Sequence, residues 1–498
     1  MEVVSSITPL LTVLVSAVGA CLILATGERN RNLRESWTII AAVIKFALVV
    51  SMVPLVLEGK VIEFTFINLA PGLPLQLKVD PFGMLFALLA STLWIATSFY
   101  SIGYMRGLNE HAQTRYFFCF AVCLSATMGI AFAGNLITFF IFYEILTVAT
   151  YPLVMHMETE EAYLGSRKYL VYTLIAGVVL LFALAVIYSM TGTLDFTPGG
   201  FLAGHGIHTG LLIFLFVLLI MGCGVKAGIM PLHEWLPTAM VAPTPVSALL
   251  HAVAVVKAGV FGTLRIILYV FGPILLHDLG VWLILAYVVS FTIIVSAMLA
   301  LAQDNFKRRL AFSTVNNLAI IILGAIILTS NSITGGMLHL VNHGFMKIAL
   351  FFVAGAVFVK THKKNVSDLD GLGRQMPLTF GAFTICALGL AGVPPACGFI
   401  SKWFLCLGFL EAKEIFFLIV LLTSAMLDIA FFGPIIYKAF FAKPKPDVSP
   451  HFDEAPMLMV IPILCATAIS VMLCVSPNAF VHVFDIARMA AMSILGAG

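Results

Sequence analysis

Six basic residues stand where a bilayer would place hydrocarbon: Lys45, Lys226, Lys257, Arg265, Lys347 and Lys402 all lie inside apolar runs. A charge at a helix centre costs about 2.5–3.5 kcal/mol on insertion scales, so six uncompensated charges would cost upwards of ~15 kcal/mol. Residues kept despite that penalty usually face a wet interior and mark an ion route. Lys226, Lys257, Lys347 and Lys402 are read in that way. Arg265 is read as snorkelling towards an interface, and Lys45 is balanced between the two readings. Acidic counterparts are few: Glu144 in "NLITFFIFYEILTVATY", Asp428 in "LLTSAMLDIAFFGPIIY", and Glu234, next to His233, in "PLHEWLP". A buried carboxylate and a buried lysine stay charged only by finding one another or water. Glu144 is therefore expected to pair with Lys226 and to set its charge, so that parting the two releases a proton. Asp428 is expected either to pair with a lysine of the second half of the chain or to hydrogen-bond structurally.

Histidine supplies intermediate stations for such a proton relay, because it titrates near neutrality. His339, His343 and Lys347 are spaced i, i+4, i+8, which places them on one face of one helix. His251 and Lys257 share another helix. The candidate proton pathway is thus Glu144, Lys226, His251, Lys257, His339, His343, Lys347 and Lys402, with Asp428, His233 and Glu234 as accessory residues. Tyr143, Ser313, Thr314, Asn316 and Asn317 could orient water along it or serve as polar packing. No nucleophile–base arrangement, metal-ligand set or phosphate-cradling glycine loop is visible. The nine cysteines include no CxxC pair. No cofactor and no self-contained catalytic chemistry are expected, and no basic, aromatic-interleaved patch points to nucleic acid.

The elements that must position these groups are membrane helices. The chain has 498 residues, 61% apolar and 10% charged, and spanning-length apolar runs follow one another from end to end. The pattern predicts an all-α polytopic protein of about fourteen helices, the last over 456–482. The first run, 7–26, has no basic residue before it and reads as a permanent helix rather than a cleaved signal. Cytoplasmic loops are enriched in Lys and Arg. Fourteen helices put 17 basic residues in the loops of one side and 4 on the other, so both termini are expected outside the cytoplasm. Two stretches, 229–243 and 393–401, read as breaks, with prolines beside Lys226 and Lys402. Unwound backbone at membrane depth is tolerated where it is buried in protein or lines a cavity, and paired interruptions point to an inverted-repeat transporter. Residues 115–275 and 276–440 are accordingly read as two half-channels, flanked by helices 1–3 (1–114) and a C-terminal helix (441–498).

These residues resemble the antiporter-like family shared by Mrp-type cation/proton antiporters, respiratory complex I and membrane-bound hydrogenases. The resemblance rests on the Glu144 helix, "GVKAGIMPLHEWLPTAMVAPTPVSALLHAVAVVKAG", "DNFKRRLAFSTVNNLAI", "HLVNHGFMKIALFF" and "GVPPACGFISKWF", and covers nearly the whole chain. The last motif looks most like the D-type Mrp component or its hydrogenase relatives. The resemblance implies two inverted five-helix repeats with helices 7 and 12 broken. It makes Glu144 the fifth-helix glutamate and Lys226 the seventh-helix lysine. Lys257, His343 with Lys347, and Lys402 match the ionisable positions of helices 8, 11 and 12. It also implies a multisubunit cation/proton antiporter in the cell membrane, with H+ and a counter-ion such as Na+ as cargo. The alternatives are a pumping component driven by redox chemistry in partner subunits, and a non-transporting scaffold. About sixteen residues follow the last predicted helix, too few for the lateral arm of the largest relatives.

Overall fold

The computed structural model describes residues 2–446, 448–449 and 451–496. Among them, thirteen helices are long and apolar enough to cross a membrane. Spans one to four are Thr8–Thr26, Arg31–Leu57, Pro81–Gly107 and Gln113–Ala131. Spans five to eight are Leu136–Val154, Glu160–Thr191, Thr209–Ala227 and Thr244–Phe271, and spans nine to eleven are Val281–Ala302, Phe306–Ile326 and Ser330–Thr361. The twelfth is split into Pro377–Ala391 and Gly398–Glu411. Ile415–Phe440 and Met457–Val475 complete fourteen crossings.

The breaks fall where proline and glycine remove helical hydrogen bonds. Span seven ends at Ala227 with Gly228 left-handed (φ +74), and the chain turns before the short helix Trp235–Thr238. Span twelve stops at Ala391 with Gly392 at φ +92 and restarts at Gly398. Span eight carries two π-helical stretches, Leu249–Val253 and Ile266–Phe271, of a kind often found at functional sites. His251 lies in the first of them.

An internal repeat is visible in the capping residues. Asn135 caps span five through Thr138 N–H, and Asn305 caps span ten through Arg308 N–H. Each asparagine also bridges to an extended residue further on, Asp195 and Asn365 respectively. Thr159 and Thr329 cap spans six and eleven, both of 32 residues. One chain offset relates all three pairs. Because five crossings separate the equivalents, the two units run in opposite senses through the membrane.

Span eleven is the hub, packing against spans three, ten, twelve and fourteen and against the first turns of span eight. Its residues from Ser332 to Val357 are all buried. Two elements depart from the sequence expectation. The loop before span three folds into a hairpin, Val61–Ala70 with Leu73–Val79, and Val3–Ser5 adds in parallel. Its β-branched and aromatic residues favour strand, and Pro71-Gly72, with Gly72 at φ +72, turns the chain. The last span ends at Val475 rather than 482. Beyond it an amphipathic helix, Val483–Leu495, buries Ile486, Ala487, Ala490, Ala491 and Ile494 against spans three and eleven.

Candidate functional site

Span five begins the line of ionisable groups. Glu144 projects towards span six, where a Cβ on Gly177 would stand 2.5 Å from its Oε1, so only glycine leaves room for the carboxylate. That oxygen has no hydrogen-bond partner in the protein. Lys226 is fully buried at the end of span seven. It makes no direct ion pair with Glu144. Its Nζ donates instead to the carbonyl of Tyr143 (2.7 Å) and sits 3.3 Å from the centre of that ring. The expected pair is therefore joined through the backbone residue beside Glu144. The Tyr143 hydroxyl donates to Gly222 O, and Trp235 Nε1 donates to Val225 O, which ties the break to the helix end it follows.

Span eight passes close behind Lys226. A Cβ on Gly259 would lie 2.3 Å from Ala227 N, so this glycine lets the two backbones meet. Two residues earlier, Lys257 Nζ donates to Leu340 O (2.8 Å) and contacts His343 Nδ1 (2.9 Å). His343 in turn lies within electrostatic reach of Lys347, His339 and His251. His251 is fully buried against Phe351, and neither ring nitrogen has a partner.

The stripe on span eleven continues the line. His339 contacts Ser401 Oγ (2.8 Å) and Asn317 Oδ1 (3.0 Å), and Lys347 Nζ donates to Ser313 Oγ (2.8 Å). Asn317 also contacts Asn316, whose amide reaches Ile293 O and Ser424 Oγ. Lys402, just past the second break, donates to Asp428 Oδ2 at 3.0 Å. Asp428 is fully buried and its Oδ1 is unpartnered. The structure thus brings Lys257, His251, His343, His339, Lys347, Lys402 and Asp428 together, with Lys226 adjoining through Gly259 and Glu144 beyond it.

A family model described as NADH:quinone oxidoreductase/Mrp antiporter, TM, matches residues 133–427, which take in the line from Glu144 to Lys402 and end one residue before Asp428. The chain belongs to that family. It is 31% identical over 411 residues to the N-type subunit of the NADH-quinone oxidoreductase of Desulforudis audaxviator, covering 79% of this chain and 80% of that protein. It is 29% identical over 465 residues to the A-type subunit of the Na(+)/H(+) antiporter of Alkalihalophilus pseudofirmus, covering 86% of this chain and 56% of that protein. The chain spans about half the length of the A-type antiporter proteins it matches. Its fold is shared with a chain of the Mrp complex from Dietzia sp. DQ12-45-1b (22% identity, TM-score 0.87, 99% of this chain and 98% of that one). A chain of the membrane-bound sulfane sulfur reductase, an archaeal respiratory membrane complex, has the same fold (23% identity, TM-score 0.88, 98% of both chains). By family and fold this is an antiporter-like, multi-pass membrane subunit.

Within that family frame, three basic or acidic residues sit differently from the sequence expectation. Arg265 does not snorkel: its guanidinium is buried, donates to both carboxylate oxygens of Asp80 (2.5 and 2.7 Å), and is ringed by Tyr269, Phe261, Phe82 and Phe196. Lys45 is buried too, donating to Leu124 O (2.8 Å) beside Trp94, away from the line. Glu234 is an exposed surface residue paired with Lys168 at 2.5 Å, and that ammonium holds its carboxyl below the usual carboxylate range. His233 is half-buried near Phe312, with Nδ1 unpartnered. Glu234→Gln is therefore expected to keep transport within about twofold of the native rate, since exposed pairs contribute little. A tenfold loss in reconstituted vesicles would return Glu234 to the pathway.

Gly177 offers a finer probe. Gly177→Ala must displace the Glu144 carboxylate, while alanine is favoured over glycine in a helix by about 1 kcal/mol. Transport is expected to fall several-fold with the melting temperature unchanged or raised. Wild-type transport in that variant would mean that the position of Glu144 does not matter.

Proposed function

We propose that this chain carries protons through the membrane as the antiporter-like subunit of a multisubunit cation/proton antiporter in the cell membrane, with Na+ as the candidate counter-ion. The reading is supported by one observation above all: buried Lys and His groups and the buried Asp428 gathered at the centre of the bundle, with Lys257 in contact with His343 and Lys402 paired with Asp428. Protons enter from the cytoplasmic side. Lys226, Lys257, His251, His339, His343 and Lys347 act as stations, and Lys402 with Asp428 stands near the exit. Glu144 biases the charge on Lys226, since an opposite charge nearby favours the protonated amine. Residues 115–275 and 276–440 each supply a half-channel, and both termini lie on the non-cytoplasmic side. Unpaired charge in a bilayer is expensive enough that a scaffold would not keep Lys226, Lys257 and Lys347, which are fully buried and make no direct ion pair among the described residues.

A second reading is favoured by the N-type relative, four-fifths of whose length this chain covers. It makes the chain the proton-pumping component of a redox-driven complex, with electron chemistry in partner subunits. Affinity purification of the tagged chain from native membranes, followed by mass spectrometry, separates the two. Small membrane proteins alone, with sodium-dependent pH change in vesicles, support the antiporter. Iron–sulfur or quinone-reducing partners support the redox pump. Proton movement absent from both preparations would defeat both readings.

A further inference from the structure

Outside the central line, titratable side chains gather at the end of span five remote from the hairpin. The loop after span three turns through left-handed Asn109 (φ 50) and Ala112 (φ 45), which sets Glu110 and His111 against the residues following span five. There His156 is fully buried, and neither of its ring nitrogens has a hydrogen-bond partner. Its ring stacks on His111 at 4.8 Å and meets the edge of Tyr116 at 5.6 Å, contacts that satisfy the ring faces and leave both nitrogens unmet. An unmet buried polar group costs about 1–3 kcal/mol, so this histidine calls for an explanation.

We propose that Glu110, His111 and His156 form a binding site for a divalent first-row transition-metal ion of the Zn2+ type. One ligand atom from each residue lies within 4.8 Å of the other two. In a tetrahedral zinc site with bonds near 2.0–2.1 Å, neighbouring ligand atoms stand roughly 3.4 Å apart. Closure thus needs about an ångström of side-chain rotation, which Glu110 and His111 can supply from their loop. Two imidazoles with a single carboxylate suit zinc and its neighbours, whereas Mg2+ and Ca2+ prefer all-oxygen shells. Glu158 stands at the rim, its Oε1 3.7 Å from His111 Nε2 and held by Arg115 at 2.7 Å. Its carboxylate offsets the guanidinium and offers a fourth ligand. A bound ion would pin the loop between spans three and four to the helix that carries Glu144, and so would clamp the end of that helix.

The test uses the complex isolated from native membranes through this chain, stripped with a chelator and titrated with Zn2+ by calorimetry. Co2+ serves as the spectroscopic probe of the same site. Outer-shell partners of a metal commonly contribute 10–100-fold to affinity, so loss of a ligand should weaken this equivalent at least about tenfold. His111→Ala, on an exposed loop, and His156→Gln are each expected to show that loss. Zn2+ is expected to slow amide exchange in 108–116 and 154–159. Unchanged stoichiometry and affinity in His111→Ala would overturn the proposal, as would zinc protection confined to other segments. His111→Ala decides the matter if His156→Gln does not fold.

Discussion

Glu144→Gln is expected to lower proton-coupled transport at least about tenfold while leaving assembly and melting temperature near the native values. The substitution keeps the size and shape of the side chain and removes its charge, one acceptor oxygen becoming an amide donor. No protein donor is lost, because Glu144 Oε1 has no partner. Lys226 also keeps its anchor, since it is held by the Tyr143 carbonyl and ring rather than by the carboxylate itself. What disappears is the field that biases the lysine. Unit charges roughly 5–8 Å apart at an effective dielectric of ~20 interact by about 2–3 kcal/mol, which is more than a decade in an equilibrium constant. Lys226→Ala should match or exceed the loss, because it removes the proposed station itself. Both are read as pH change in reconstituted vesicles, with chromatography confirming that the complex is intact. Full transport by an intact Glu144→Gln complex would remove Glu144 from the mechanism.

Much of this arrangement is legible from residue types alone, for a thermodynamic reason. Lysines and histidines in apolar runs are rare because lipid penalises them, so Lys226, Lys257, Lys347 and Lys402 stand out without any geometry. The breaks are legible because proline and glycine interrupt helices in a recognisable way. Contacts between spans are not. Nothing in the spacing of Tyr143, Glu144 and Lys226 says that the amine turns to a carbonyl rather than to the carboxylate one residue away. Arg265 departs from expectation for a related reason: its partner, Asp80, sits just before span three and reads as a loop residue. Asp80 caps that span through Gly83 N–H and is brought to the arginine only by the packing of span eight. The hairpin does carry a local signal, the Pro-Gly turn at residues 71 and 72, but hydropathy alone does not register it. The amphipathic helix Val483–Leu495 is too short and too polar on one face to register as a span.

The two buried ion pairs should respond differently to loss of the acid, and Asp80→Asn is expected to be the more destabilising. Removing one partner of a buried pair costs about 3–5 kcal/mol because the other charge is left uncompensated. Arg265 cannot escape by deprotonating, and it is enclosed by four aromatic rings at 4.3–5.2 Å. Asparagine still caps a helix as well as aspartate does, so the loss at Asp80 reports the ion pair rather than the cap. At Asp428→Asn, by contrast, the group left behind is a lysine amine, which unlike a guanidinium need not stay charged in a buried site, so the stability loss is smaller while a proposed proton station is disabled. Asp428→Asn should therefore lower transport sharply with a small shift in melting temperature, and Asp80→Asn should do the reverse. Adding Arg265→Gln to Asp80→Asn should recover part of the stability, because both charges are then gone. Thermal melting and vesicle transport on the four proteins check the pattern. A larger melting shift for Asp428→Asn than for Asp80→Asn would mean that Lys402 is held as a fixed structural charge, which no proton carrier can be.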